Sequence, residues 1–196
     1  MRLFNIFRKA EKRGQRDYKE FAQNTRNASA LVVGAPEDRL HGLGSAFSFA
    51  KGKTVIDVGC HDGTVAEAFR DAGAAKIDGC DIFIEGVERA RKLVPAGHFV
   101  QCDLSKGSDH FKSLGFGAEY DIVCYLGMQH HLSRQMQAEH LNQLVEMLAD
   151  MAKSMFLLRT PDRYIDSVQD ILLAKGFRQH EASAMPGRSK AIIYKR

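Results

Sequence analysis

TVIDVGCHDG, residues Thr54–Gly63, decides the fold of this chain. Val55, Ile56 and Val58 form a short apolar, β-branched run. It ends in an acid, two glycines and a helix start, the signature of a buried strand entering a ligand-sized loop. Glycine lets the backbone of such a loop approach a ligand closely. The charge around the loop narrows the ligand. Asp57 and Asp62 flank it, and no Lys or Arg lies between Lys53 and Arg70. A loop built to cradle pyrophosphate prefers bare amides or a lysine. Two carboxylates suit a ligand carrying a cation and hydroxyls.

Outward from this stretch, strands and helices alternate. Strands are expected over 53–58, 76–81, 97–102, 120–126 and 154–159. Helices are expected over 64–73, 85–93, 108–114, 134–152 and 163–174, the last closed by Gly176. In the longest helix, Leu141, Leu144, Val145 and Leu148 recur at helical spacing. Two final runs, 177–184 and 190–195, joined through Met185-Pro186-Gly187, read as an antiparallel pair. Repeated strand–helix units specify a single α/β domain, a Rossmann-like doubly wound sheet that is mostly parallel and closes on a C-terminal antiparallel strand. Residues 34–45, with several glycines and Pro36, read as a connecting loop. The expected division is a basic helical segment and lid over 1–50, then a ligand-binding domain over 51–196.

The 196 residues suffice for one full core, and 44% hydrophobic with 27% charged residues is ordinary for a globular protein. No apolar run reaches the roughly 18 residues of a spanning helix, and no secretory signal is visible, so a cytoplasmic location is expected. Residues 1–30 carry 8 Lys/Arg against 3 Asp/Glu, a net of +5, which leaves −1 for the remainder. The body therefore does not demand a nucleic-acid partner. Leu3, Phe4, Phe7 and Ala10 share a helical face within the basic segment 1–13. Such a segment suits peripheral contact with an anionic membrane, or packing on its own domain. A second helix is expected over 17–24. Cys60, Cys80, Cys102 and Cys124 lie about 20 residues apart without a CxxC pair, which points to buried packing and to no metal.

In doubly wound sheets ligands bind beyond the carboxyl ends of the strands. Those ends carry Asp57 and Gly59 with Gly63, then Asp81, then Asp103, then Gly127, Met128, Gln129, His130 and His131. Asp81 follows the glycine loop by about 20 residues, the position of a ribose-binding acid. Asp103 can accept from an exocyclic amine, and Asp57 with Gly59 can hold an ammonium. Asp62 reads first as a cap of the following helix and second as a ligand group. Asp78 reads as an exposed strand residue, and His98, His110 and His180 as surface or satisfied polar groups.

This ordered set resembles the class I S-adenosylmethionine-dependent methyltransferases over roughly residues 50–196. The D-x-G-C-x-x-G run at Asp57–Gly63 is similar to that family's first motif, Asp81 to its second-strand acid, and Cys102-Asp103-Leu104 to its third-strand acid. Tyr120-Asp121-Ile122-Val123 with His130-His131-Leu132 resembles its fourth-strand region. The resemblance implies S-adenosyl-L-methionine as cofactor, held by Asp57, Gly59, Cys60, His61, Gly63, Asp81, Ile82, Cys102, Asp103, Leu104, Leu126 and Gly127. His61 departs from the family, which often has glycine there; it needs a permissive backbone, and can narrow the pocket or reach the cofactor's carboxylate.

An oxygen nucleophile often needs a base, and imidazole titrates near neutrality. His131 and His130 are the candidates. They are expected to face opposite ways, so that one serves, and His131 is preferred over His130; His41 is a weaker candidate from the opposite wall. The tetrapeptide typical of amino-methylating nucleic-acid enzymes and the Pro-Cys nucleophile of cytosine-carbon methylation are both absent. The expected acceptor is oxygen on a small molecule, a glycan or a lipid-linked intermediate. An RNA methyltransferase, a non-catalytic cofactor-binding module and an NAD-dependent oxidoreductase are the alternatives. The last lacks a complete G-x-G-x-x-G run.

Overall fold

The computed structural model describes residues 39–185 and 189–196. The amphipathic segment 1–13, the helix expected over 17–24, the first residues of the expected loop (34–38) and the Pro186-Gly187 join lie outside them. The described chain runs α1 (Gly44–Phe49), β1 (Thr54–Val58), α2 (Thr64–Asp71), β2 (Lys76–Asp81), α3 (Ile84–Leu93), β3 (Phe99–Gln101), α4 (Ser108–Lys112) and β4 (Tyr120–Leu126). It continues through α5 (Gln129–Leu132), α6 (Ala138–Met151), β5 (Ala152–Pro161), α7 (Ile165–Ala174), β6 (Arg178–Met185) and β7 (Ser189–Lys195). Short 3-10 turns follow β3 at Leu104–Lys106 and β5 at Asp162–Tyr164.

All seven strands form one sheet in the order β3-β2-β1-β4-β5-β7-β6. The first five are parallel, and β7 enters antiparallel between β5 and β6. The order reverses between β1 and β4, which opens a crevice at their carboxyl ends. Asp121 fixes that central pairing. Its carboxylate accepts from the Thr54 amide at 2.9 Å and the Thr54 hydroxyl at 3.0 Å, and its own amide donates back to that hydroxyl.

Strand alternation sends side chains to two cores. On one face Ile56, Val58, Val123, Tyr125, Phe156 and Leu158 pack under Leu141, Leu144 and Leu148 of α6 and Val168 and Leu172 of α7. On the other, Val55, Ile77, Ile122, Leu157 and Ile193 pack under Val65 and Phe69 of α2, Val87 and Ala90 of α3, and Leu43, Ala46 and Ala50 around α1. Both faces of the central strands are covered, which is why those strands read as continuous apolar runs.

Three expectations are corrected here. Asp78 is not an exposed strand residue: it is fully buried, accepting from the Tyr120 hydroxyl, the His98 amide at 3.0 Å and the Lys76 ammonium at 2.7 Å. Its polar partners come from β4, from the residue before β3 and from its own strand, and no periodicity argument reports them. The helix expected over 134–152 starts only at Ala138, because Gln137 is extended (φ −67°, ψ 147°), and the short α5 before it is a separate helix. The loop expected over 34–45 already turns helical at Gly44.

Candidate active site

Asp57 stands near the end of β1 at the sheet's reversal point. It is 2% exposed, and its Oδ2 has no hydrogen-bond partner among the described residues. Burial, with the Asp81 charge nearby, raises its pKa from 3.8 to about 7, against the pull of the Arg159 guanidinium. A buried carboxylate oxygen with no donor is costly. Desolvation and a like-charged neighbour favour the protonated form, and a cation at Oδ2 would favour the ionised one.

Asp81 ends β2 and organises the loop. Its Oδ2 accepts from the His61 amide at 2.8 Å and its Oδ1 from the Phe83 amide at 2.9 Å. Asp103 follows β3 and caps the 3-10 turn, its Oδ1 accepting from the Ser105 amide at 3.0 Å and the Ser105 hydroxyl at 2.6 Å. The three acids thus stand at the ends of three adjacent strands, β1, β2 and β3.

The glycine loop is shaped by close approaches. A Cβ on Gly63 (φ 82°) would stand 2.7 Å from the Ala90 Cα, so this residue lets α2 and α3 meet. A Cβ on Gly59 would strike the Met128 sulfur, which lies over the loop. By contrast nothing lies within 4 Å of a Cβ built on Gly127 (φ 80°), which faces open space at the end of β4. His61 occupies the left-handed region at φ 48°, the one described non-glycine residue to do so. Its ring is turned to Arg39, at 3.2 Å, and to Phe83, at 5.6 Å between centroids.

Asp62 is engaged on several sides. Its Oδ1 accepts from the Thr64 hydroxyl at 2.8 Å and the Thr64 amide at 3.3 Å, and it pairs with Arg39. Burial opposes its charge, but hydrogen bonds from His61 and Thr64 and the Arg39 guanidinium hold it far below the usual carboxylate range. It serves the first turn of α2, although the residue in the N-cap position is Gly63. Cys60, Cys102 and Leu104 are buried in the two cores. Ile82 and Leu126 are half-buried at the crevice. All four cysteines are buried and unbridged.

His130 and His131 lie on α5, directly beyond β4. They do not face opposite ways: their rings are 3.9 Å apart, tilted by 40°. A single short helical turn leaves consecutive bulky side chains side by side when both find the same space. Their environments differ. Burial, then His131, Arg134 and Arg163, push the His130 pKa down to about 4. Burial and Arg134 also lower His131, but Asp81 pulls it back up. His131 is therefore the ring electrostatically coupled to the acid at the end of β2. His41 binds the Ala184 carbonyl at 3.1 Å.

Two residues not singled out from the sequence belong to this region. Arg159, near the end of β5, donates to the carbonyls of Arg39 at 2.7 Å and His41 at 3.1 Å while its charge acts on Asp57. Arg39 clamps His61 and Asp62. The strand-end rule applied to Leu157-Leu158-Arg159-Thr160 would have found the first. Nothing local to residue 39 announces the second.

A family model described as a methyltransferase domain matches residues 33–188. Among solved structures, a magnesium protoporphyrin IX methyltransferase from Synechocystis with bound SAH is 21% identical, covers 94% of this chain and 99% of its own, and gives a TM-score of 0.66. A TehB-like SAM-dependent methyltransferase from Corynebacterium glutamicum is 14% identical, covers 91% and 97%, and gives 0.63. A ribosomal protein L11 methylase from Lactobacillus delbrueckii is 18% identical, covers 79% and 75%, and gives 0.57. At these identities the likeness is one of fold. No curated protein matches the chain.

Proposed function

The chain belongs to the methyltransferase domain family, and from that premise we propose that it methylates oxygen on a small molecule, a glycan or a lipid-linked acceptor. Its cofactor is S-adenosyl-L-methionine, which supplies a methyl group already activated on a sulfonium. The single observation that carries the cofactor assignment is the Asp57 Oδ2, buried and without a partner among the described residues. An ammonium placed there would supply the missing donor and the missing charge. Asp81, at the end of the neighbouring strand, is the acid for the ribose hydroxyls, and Asp103 stands one strand further out for an amine of the base.

The protein's part in the transfer is alignment and exclusion of water. The loop at Gly59–Gly63, fixed by Asp81 and by the Arg39 clamp, sets one wall. The end of β4, open at Gly127, sets the other. Oxygen as the accepting atom is favoured by the two imidazoles immediately beyond that opening. Both are held neutral at pH 7, so each can take a proton from a hydroxyl. Of the two, His131 is the stronger base: burial and Arg134 lower it but Asp81 pulls it part of the way back, whereas burial, the neighbouring ring and two guanidiniums all push His130 down. His131 takes the acceptor's proton at a ring nitrogen, and His130 packs against it and fixes its plane.

The test is methyl-labelled S-adenosylmethionine incubated with purified protein and fractionated cell extract. Label is expected in small molecules, glycans or lipids as an oxygen-linked methyl. Label confined to RNA or protein contradicts the acceptor assignment, and no labelled product in any fraction contradicts catalysis itself.

A further inference from the structure

A cavity of about 380 Å³ opens at the carboxyl edge of the sheet, between the segments that follow β3 and β4. One wall is the 3-10 turn after β3 with the start of α4. The other is the link from α5 to α6 with the first turns of α6. Both walls grow out of the candidate site. The first begins beside Asp103, whose carboxylate holds Ser105 by its amide and its hydroxyl. The second continues the turn that carries His131: the amides of Gln135 and Met136 both return to the Leu132 carbonyl at 2.9 Å. The volume falls in the range of small-ligand sites, about 300–1,000 Å³.

The lining rules out most classes of ligand. Lys106 and Asp109, one of each sign, offset each other, so no excess charge selects a phosphate, a carboxylate or a cation. No Phe, Tyr or Trp lines the cavity, and these are the rings on which single-stranded bases stack. Met136 is the one apolar side chain, too little for a lipid tail. What remains is a set of neutral polar groups: the Ser108 hydroxyl, the carboxamides of Gln135, Gln137 and Gln143, and the His140 imidazole. None of these five side chains is hydrogen-bonded to another described residue. Hydroxyls and carboxamides each both donate and accept. Their complement is a neutral ligand whose own groups do both, which is the chemistry of a sugar.

Resting on the methyltransferase assignment above, we propose that this cavity is a sugar subsite, and that among the acceptor classes the substrate is a neutral glycan or glycoside. One sugar unit sits between the turn after β3 and the start of α6, and an adjoining unit presents its hydroxyl at His131. Seating the neighbouring unit orients a hydroxyl that an open crevice would otherwise hold loosely.

The test presents an immobilised panel of neutral oligosaccharides to the full chain in the presence of S-adenosylhomocysteine, with acidic oligosaccharides and RNA homopolymers alongside. Capture by a subset of the neutral oligosaccharides is expected, saturable when the best of them is titrated in solution. In the double variant Gln137→Ala/Gln143→Ala the half-saturating concentration should rise about ten-fold or more. Both side chains are exposed, and Gln137 precedes α6 without a side-chain capping bond, so the variant spares the helix. Its binding of S-adenosylhomocysteine by calorimetry should stay unchanged. Capture by no neutral oligosaccharide, capture by acidic oligosaccharides or RNA alone, or identical saturation in the double variant overturns the subsite. Failure of the unaltered protein to bind S-adenosylhomocysteine overturns the methyltransferase assignment beneath it instead.

Discussion

Asp57 concentrates the physics of the site in one side chain. Its pKa is raised from 3.8 to about 7, chiefly by burial. Between those values the folded protein holds a proton that the unfolded chain has released, so stability falls as pH rises through that window and is flat above it. Asp57→Asn removes the charge but keeps the shape. The variant should be more stable than the parent at pH 8, by about 2 kcal/mol, and no more stable at pH 4. Urea midpoints at the two pH values check this. The same variant should bind S-adenosylmethionine some ten- to a hundred-fold more weakly, roughly the loss of one charge-assisted hydrogen bond. A parallel pair of variants separates the two imidazoles. His131→Gln should lower kcat by about a hundred-fold with little change in cofactor affinity, whereas His130→Gln should lower it by less than about ten-fold. Equal losses would mean that the two rings act as one unit. The candidate acids were legible in the sequence because strand ends can be found from periodicity alone. The pairing of the imidazoles was not, since side-chain direction on a single helical turn is a matter of tertiary space.

At the scale of elements, the loop between β1 and α2 works by contact distances that only glycine allows. Gly63→Ala puts a methyl against the Ala90 backbone in a left-handed conformation. It should cost about 2–4 kcal/mol by chemical denaturation, since neither the strain nor the clash has a cheap escape. Gly127→Ala shares the left-handed backbone but meets open space. It should cost only about 1 kcal/mol of stability and act mainly on ligand affinity. Similar losses of stability for both would contradict the distinction. Most strands and helices were legible: β1, β2 and β4 lie within a residue of expectation, because β-branched runs bounded by turns are unambiguous. The late start at Ala138 was not legible, because residues 134–137 lack any helix breaker; the start is set by the need to lay Leu141, Leu144 and Leu148 on the sheet. Asp78 escaped for a related reason. An acid in a strand reads as solvent-facing unless its Tyr120 partner, 42 residues away, is known.

For the whole molecule, the sheet order β3-β2-β1-β4-β5-β7-β6 places every candidate group on one edge. Three acids line one side of the reversal point, and the two imidazoles of α5 lie on the other, beyond β4. No helix among the described residues is long and apolar enough to cross a membrane. The basic segment 1–13, outside the described residues, has the composition of a surface-binding helix. The full chain should co-sediment with vesicles containing anionic lipid and be released by added salt; equal partitioning to neutral vesicles would contradict this contact. The proposed roles of Asp57 and Asp81 make the acid-lined crevice the seat of a sulfonium nucleoside. Isothermal titration of the purified chain with S-adenosylmethionine tests this: saturable one-to-one binding that Asp57→Asn weakens supports it, and the absence of any binding isotherm from well-folded protein contradicts it.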